Sequence, residues 1–239
     1  MSTHSRQING NLAFYGGHRK RIVDAIGADV IKYLNDFLPG VHSSGEMDLD
    51  WAVTRVETGG GESTFAIIDG AGGIARITTD AFENDGINAQ AIGEAFKLAS
   101  GNVLYFGARA KISEATQLDF FLGLAITNTD ILGGVTDRIG FEKLDGVTTV
   151  KAMLEKNNGE TLSGTLATAD TSYHIYEFFF DGTNIEFFID GVSVYVPVVT
   201  NLPDDEELRV SVHCLAGSAA VRTMDLDWIR CVQIGGRAS

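Results

Sequence analysis

The chain has 239 residues, 44% of them hydrophobic, enough for one large domain or two small ones and too apolar for a chain disordered throughout. Its 18 Lys and Arg stand against 32 Asp and Glu, and the net charge of −14 excludes a body that binds nucleic acid. No apolar run reaches the length of a membrane span, and MSTHSRQING lacks the apolar stretch of a secretion signal, so neither a span nor export by that route is expected.

Residues 1–18 mix small, polar and aromatic side chains without a period, Phe14-Tyr15-Gly16-Gly17 among them, and read as an extended arm. From Arg19 to Leu38 the residues Ile22, Ile26, Val30 and Leu34 recur every fourth position. Val23, Ile31 and Phe37 lie beside them and Asp24, Asp29, Lys32 and Asn35 lie off the stripe. That spacing predicts an amphipathic helix closed by Pro39-Gly40. Beyond Gly40 the helical period is lost. Strands are predicted at 47–57, 63–69, 73–79, 94–98, 103–113, 119–128, 138–144, 147–154, 173–181, 184–190, 192–196, 207–215 and 221–234, with 80–93 as a loop. Glycine-rich or polar turns separate them, and 28 glycines with 3 prolines and 14 phenylalanines suit such a chain. Many short strands without crossover helices indicate an all-β antiparallel sandwich. The expected division is 1–45 for arm and helix and 46–239 for the sandwich.

Arg6, Arg19, Lys20 and Arg21 give residues 1–21 a charge of +4 with no acid, leaving −18 for the remainder. Such a split marks either a basic arm reaching for an acidic partner or a solvated terminus. The attachment reading rests on Arg6, Phe14, Tyr15, Arg19, Lys20 and Arg21. Cys214 and Cys231 read as small buried thiols of a reducing compartment rather than a disulfide, and no Cys/His spacing suits zinc.

The segment Tyr173–Val196 (YHIYEFFFDGTNIEFFIDGVSVYV) carries Asp181-Gly182 and Asp190-Gly191 as tight turns of a three-strand meander. It resembles the penultimate hairpins of concanavalin A-like lectin/glucanase and laminin G-like sandwiches. The run Met224-Asp225-Leu226-Asp227-Trp228-Ile229-Arg230 is similar to their closing strand. The resemblance covers roughly residues 46–239 and implies a jelly-roll sandwich, a fold that hosts lectins, hydrolases and structural domains alike.

Met47-Asp48-Leu49-Asp50-Trp51 recurs identically as Met224-Asp225-Leu226-Asp227-Trp228. The resemblance places these first and last strands near each other, with Trp51 and Trp228 in the core and the aspartates on the opposite face. Side-by-side acidic strands repel. Asp48, Asp50, Asp225 and Asp227 are therefore either a calcium site or solvent-facing aspartates flanking core strands, and the absence of evident ligand loops favours the second. No other cofactor is expected.

Glucanases of this sandwich carry the motif E-x-D-x-E on a strand in the middle of the sequence, with two glutamates on one face, and retaining chemistry needs those carboxyls close together. The nearest match here, Glu46-Met47-Asp48-Leu49-Asp50, ends in Asp and lies in the first strand; Glu177 and Asp181 are separated only by phenylalanines. No G-x-S-x-G, P-loop or H-E-x-x-H is present. His174 and His213 read as hydrogen-bonded structural residues. A non-enzymatic protein is expected on these grounds. A lectin-like alternative rests on Tyr105, Tyr173, Tyr176 and Tyr195 as platforms and on the polar groups of Thr127-Asn128-Thr129-Asp130 and of Asn88 with Gln90. The arm, helix and acidic sandwich together are similar in layout to tailed-bacteriophage virion proteins, above all capsid decoration (cement) proteins. That likeness implies a virion-surface structural protein that binds the major capsid protein as a homo-oligomer, a trimer by preference, without nucleic acid or membrane. Its alternatives are a glycan-binding fibre or spike module and, more distantly, a glycoside hydrolase.

Overall fold

The computed structural model describes residues 3–38, 50–68, 70 and 72–236. Alternating apolar residues and frequent turns make nearly every segment a strand. The first are β1 (Thr3–Ile8), β2 (Asn11–Gly16), β3 (Ile22–Ile26), β4 (Val30–Asn35), β5 (Trp51–Val56), β6 (Thr64–Ile68) and β7 (Ile74–Thr78). Next come β8 (Gly86–Ala91), β9 (Val103–Ile112), β10 (Leu118–Ala125), β11 (Arg138–Lys143), β12 (Thr149–Lys156), β13 (Gly159–Leu162) and β14 (Ala167–Thr168). The last are β15 (His174–Phe180), β16 (Ile185–Ile189), β17 (Val192–Tyr195), β18 (Arg209–Ala216) and β19 (Thr223–Ile234).

One sheet runs β13-β12-β11-β10-β18-β8-β5, with β14 beside β12. The other runs β17-β16-β15-β9-β19-β7-β6, with β4 also on β19. Between them lies an aromatic core. Phe141 meets Phe187 edge-on at 5.3 Å, Phe120 meets Tyr176 at 5.7 Å, and Phe106 stacks on Phe178 at 5.0 Å. Such pairs add roughly 0.5–1.5 kcal/mol each beyond burial. Cys214 and Cys231 are free and buried, as expected. The all-β sandwich is present, and the meander β15-β16-β17 turns at Asp181-Gly182 and Asp190-Gly191. Positive φ angles at Gly182, Asp190 and Gly191 explain the Asp-Gly pairs.

The predicted helix is absent: no helix occurs among the described residues, and 19–38 forms β3 and β4. A spacing of four is also even, so Ile22, Ile26, Val30 and Leu34 fit a period of two. The β-branched run and the turn at Gly27-Ala28-Asp29 settle the choice for strands. The extended arm is likewise a hairpin, β1-β2, which joins β3 in a three-stranded sheet. This small sheet lies over the outer face of the second large one. Ala13, Tyr15, Ile22 and Ala25 pack there with Tyr105, Phe179, Phe188, Val232 and Ile234 in a second core. The predicted loop 80–93 contains β8, whose Ile87, Ala89 and Ala91 enter the main core. The strand expected at 94–98 is reduced to one bridge, Phe96 with Leu208.

Candidate functional site

In the sheet containing β10, every second residue leaves the core, and many of those outward residues are polar and yet buried. Asn88 and Gln90 on β8, Ser211 and His213 on β18, Asp119 on β10, Arg138 and Glu142 on β11, and Glu155 on β12 are each no more than 6% exposed. The segment 126–137 lies against Asn88, Gln90 and Arg138 among them. Its backbone bonds directly to the outward side chains: Asn128 N donates to Gln90 Oε1 (2.9 Å), Ile131 N to Asn88 Oδ1 (3.1 Å), and Arg138 Nη1 to Ile131 O (2.9 Å). Gln90 Nε2 closes the contact by donating to Ile126 O and Ser211 Oγ, both at 2.9 Å. These bonds answer the backbone's need for partners where no strand is adjacent.

Beneath this roof His213 Nδ1 sits 2.6 Å from Asn88 Oδ1, while Nε2 is buried with no hydrogen-bond partner among the described residues. Burial pulls its pKa down to about 3, so the ring is neutral at pH 7. With Nδ1–H donating to the amide oxygen, Nε2 carries the free lone pair. Beside it Arg138 Nε donates to Glu155 Oε2 (2.7 Å), and its Nη2 lies 3.8 Å from Glu142 and 3.7 Å from Glu160. Burial raises both Glu142 and Glu155 above the usual carboxylate range, against the pull of Arg138.

β10 is the middle strand of this sheet, and its outward residues read Asp119, Phe121, Gly123 and Ala125. The two-glutamate pattern is not on it. Gly123 faces Gly140 across β10 and β11, and a Cβ on Gly123 would run into the carbonyl oxygen of Ile139. No acidic side chain fits there. Gly123→Ala is expected to lower stability by about 1–3 kcal/mol, read as a lower urea midpoint with unchanged slope.

The roof stops short of the β5 side. There an open groove of about 370 Å³ is lined by Ala52, Thr54, Gln90, Thr127, Asn128, Thr129 and Arg209. Arg209 Nη1 donates to Thr127 Oγ1 (3.0 Å), while its Nε is buried and unpartnered among the described residues. The polar loop 127–130 and the pair Asn88 and Gln90, distant in sequence, thus meet at one place. The sequence reading missed Arg138, Glu142, Glu155 and Arg209. Their only signal is a polar residue at alternate positions of apolar strands, which is also the signature of a wet sheet face.

Two of the four basic N-terminal residues pair with the protein's own acids. Arg21 forms a two-bond ion pair with Glu177, and Lys20 pairs with Glu186. Arg6 lies over the Tyr15 ring and donates to its hydroxyl. Tyr15 is buried, Phe14 is half-buried and Arg19 is exposed. The repeated aspartate strands are not neighbours: β5 pairs with β8, and β19 lies in the other sheet. Asp48 lies outside the described residues and Asp50 is exposed. Asp225 is held by Arg76 (2.6 Å) and Lys111 (3.2 Å), and Asp227 by Arg109, so guanidinium and ammonium groups relieve the repulsion. Trp51 is in the core, but a bulge between Leu226 and Trp228 turns Trp228 outward, under Arg230. Tyr105 and Tyr176 are buried and form no platform. His174 bridges Asp190 and Asp170 at 2.7 and 3.1 Å, the structural role expected of it.

No protein-family model and no curated protein matches the chain. Solved structures do. An endo-1,3-β-glucanase from Streptomyces sioyaensis aligns over 90% of this chain and all of its own, with TM-score 0.64 and 14% identity. A protein of unknown function from Shewanella oneidensis aligns over 91% and 93% (TM-score 0.62, 15% identity). A β-glucanase from Bacillus licheniformis aligns over 86% and 98% (TM-score 0.57, 15% identity). The fold is therefore the concanavalin A-like sandwich of the glucanases. The expectation of a capsid decoration protein is overturned, since these neighbours are chiefly glucanases and none points to a virion. The expectation of a non-enzymatic protein falls with it, because the sandwich found is one on which glycoside hydrolases are built.

Proposed function

We propose that this protein is carbohydrate-active and takes a glycan of the β-glucan class in the groove over β5, β8 and β18. The groove carries this reading. It is open, it lies on one sheet face, and it is lined by hydroxyl, amide and guanidinium groups suited to sugar hydroxyls, those of Thr54, Thr127, Asn128 and Arg209 among them. The likeness of the fold to an endo-1,3-β-glucanase and to a mixed-linkage glucan hydrolase supports the choice of ligand. Affinity electrophoresis through gels containing β-1,3-glucan or mixed-linkage β-glucan tests it. The protein is expected to be retarded, with Arg209→Ala weakening the apparent Kd about tenfold, the loss of one charged hydrogen bond. Unretarded migration in both gels overturns the reading.

A second reading, hydrolysis of the same glycan, is favoured by Glu142 and Glu155. A carboxyl whose proton affinity is raised by burial has the property a general acid needs, and both lie on the groove's face of the sheet. Cleavage at that pair requires segment 126–137 to lift. Its outcome is release of reducing ends from the same glucans, lost in Glu155→Gln.

A further inference from the structure

A second cluster of acids lies away from the groove, where β5 and β7 end and β8 begins. Glu57, Asp80 and Asp85 each bring a carboxylate oxygen to within 4.8 Å of the other two. Two of these carboxylates are fixed by one oxygen only. Ser63 N donates to Glu57 Oε1 (2.7 Å), and Thr58 donates to Asp85 Oδ1 from both N and Oγ1 (2.6 Å each). The second oxygens, Glu57 Oε2 and Asp85 Oδ2, are buried with no hydrogen-bond partner among the described residues, and Asp85 is 0% exposed. Gly61 completes the arrangement: a Cβ there would collide with the Asp80 carboxylate, so only glycine lets the 58–61 turn close over it.

Among the described residues none of the three is ion-paired with lysine or arginine. A buried carboxylate oxygen without a donor is costly, and so are three like charges at this spacing. One hard divalent cation removes both costs, because it takes oxygen ligands alone and accepts carboxylates in mono- or bidentate mode.

We propose that Glu57, Asp80 and Asp85 form a binding site for a hard divalent cation, calcium by ligand chemistry, with water completing the shell. The site ties the ends of three strands and the 58–61 turn together, so occupancy raises the melting temperature of the whole protein. It is a different set of residues from the aspartates of the repeated strands, two of which already have cationic partners.

Calorimetric titration of the EDTA-treated full-length protein with calcium chloride, and separately with magnesium chloride, tests the proposal alongside melting curves. One calcium is expected to bind with a Kd of about 10⁻³ M or tighter and to raise Tm, with magnesium weaker. Asp80→Asn is the decisive variant. The Asp80 carboxylate makes no hydrogen bond among the described residues, so the change removes a charge and nothing else. In EDTA it is expected to melt no lower than the parent, and in calcium it is expected to melt below it, with Kd weakened about tenfold. Asp85→Asn is expected to abolish the response; should it fail to fold, Asp80→Asn decides alone. No heat and no Tm change in the parent with either metal overturns the site, as does a calcium response undiminished in Asp80→Asn.

Discussion

Replacing Arg21 by alanine is expected to destabilise the protein by about 3–5 kcal/mol, the cost of stripping a buried carboxylate of its cation. Glu177 is 0% exposed, and three groups hold it there: Arg21 through two bonds, the Tyr105 hydroxyl (2.8 Å) and, at 3.7 Å, His18. All are covered by the three-stranded sheet, so the variant also loosens the second core. The double variant Arg21→Met with Glu177→Leu is expected to recover most of the loss, since an apolar pair of similar volume spares both desolvation costs. Chemical denaturation at pH 7 measures each. The pH dependence has a definite sign. Burial raises the proton affinity of Glu177, but the Arg21 pair, the nearby His18 ring and the Tyr105 hydroxyl outweigh it and leave the folded pKa below the ordinary value. A lowered carboxylate contributes stability that is present above its unfolded pKa and is lost as pH falls through the folded one. Without Arg21 the buried Glu177 carboxyl loses the cation that holds it down, so the variant regains stability as pH falls from 7 while the parent loses it only in stronger acid, and the gap is expected to narrow throughout. A gap that stays constant down to pH 3 would sink this account.

The same residues show how much is legible in the sequence. The charge split between residues 1–21 and the remainder is visible there, and it does signal attraction to acidic groups. Sequence does not show that those groups are Glu177 and Glu186 of the same chain. That pairing depends on β15 and β16 presenting their outward face to a sheet formed by residues far away in sequence. The meander at 173–196 is legible because its Asp-Gly turns fix register locally. The stretch 19–38 misleads because a four-residue spacing satisfies two periods, and the turn at 27–29 together with the pairing of β4 with β19 decides between them. β8 escapes notice for a related reason. Gly-Ile-Asn-Ala-Gln-Ala has small apolar residues on one face and amides on the other, a weak strand pattern until the 126–137 segment is seen bonding to those amides.

The bulge at Asp227 is the other place where local reading fails. Met47–Trp51 and Met224–Trp228 are identical in sequence, yet Trp51 enters the core and Trp228 leaves it. One extra residue in a strand reverses the faces beyond it. The two tryptophans of the repeat therefore play different parts, and at Asp225 and Asp227 the cation chemistry it suggested is answered by Arg76, Lys111 and Arg109.

Arg138→Met is expected to cost a similar amount to Arg21→Ala, about 3–5 kcal/mol at pH 7, and this cost too is expected to shrink in acid. Arg138 is 3% exposed, and its removal leaves Glu142 and Glu155, each 5% exposed, without their cation. In the parent these two carboxyls already sit above the usual range, because burial outweighs the guanidinium. A raised carboxylate contributes stability that is complete below its unfolded pKa and is lost as pH rises through the folded one. Without Arg138 the folded values rise further, so the variant is expected to regain stability between pH 7 and pH 5, where Glu177 of the parent is still fully ionised. Arg138 also donates to Ile131 O and so anchors the segment over His213. Hydrogen exchange at 127–137 is expected to quicken in the variant. Adding Glu142→Gln and Glu155→Gln separates the two roles. Recovery of stability at pH 7 with exchange still fast assigns the loss to the carboxylates and the mobility to the Ile131 anchor. Failure to recover assigns both to the anchor, and the face beneath the segment would then be held shut chiefly by one arginine.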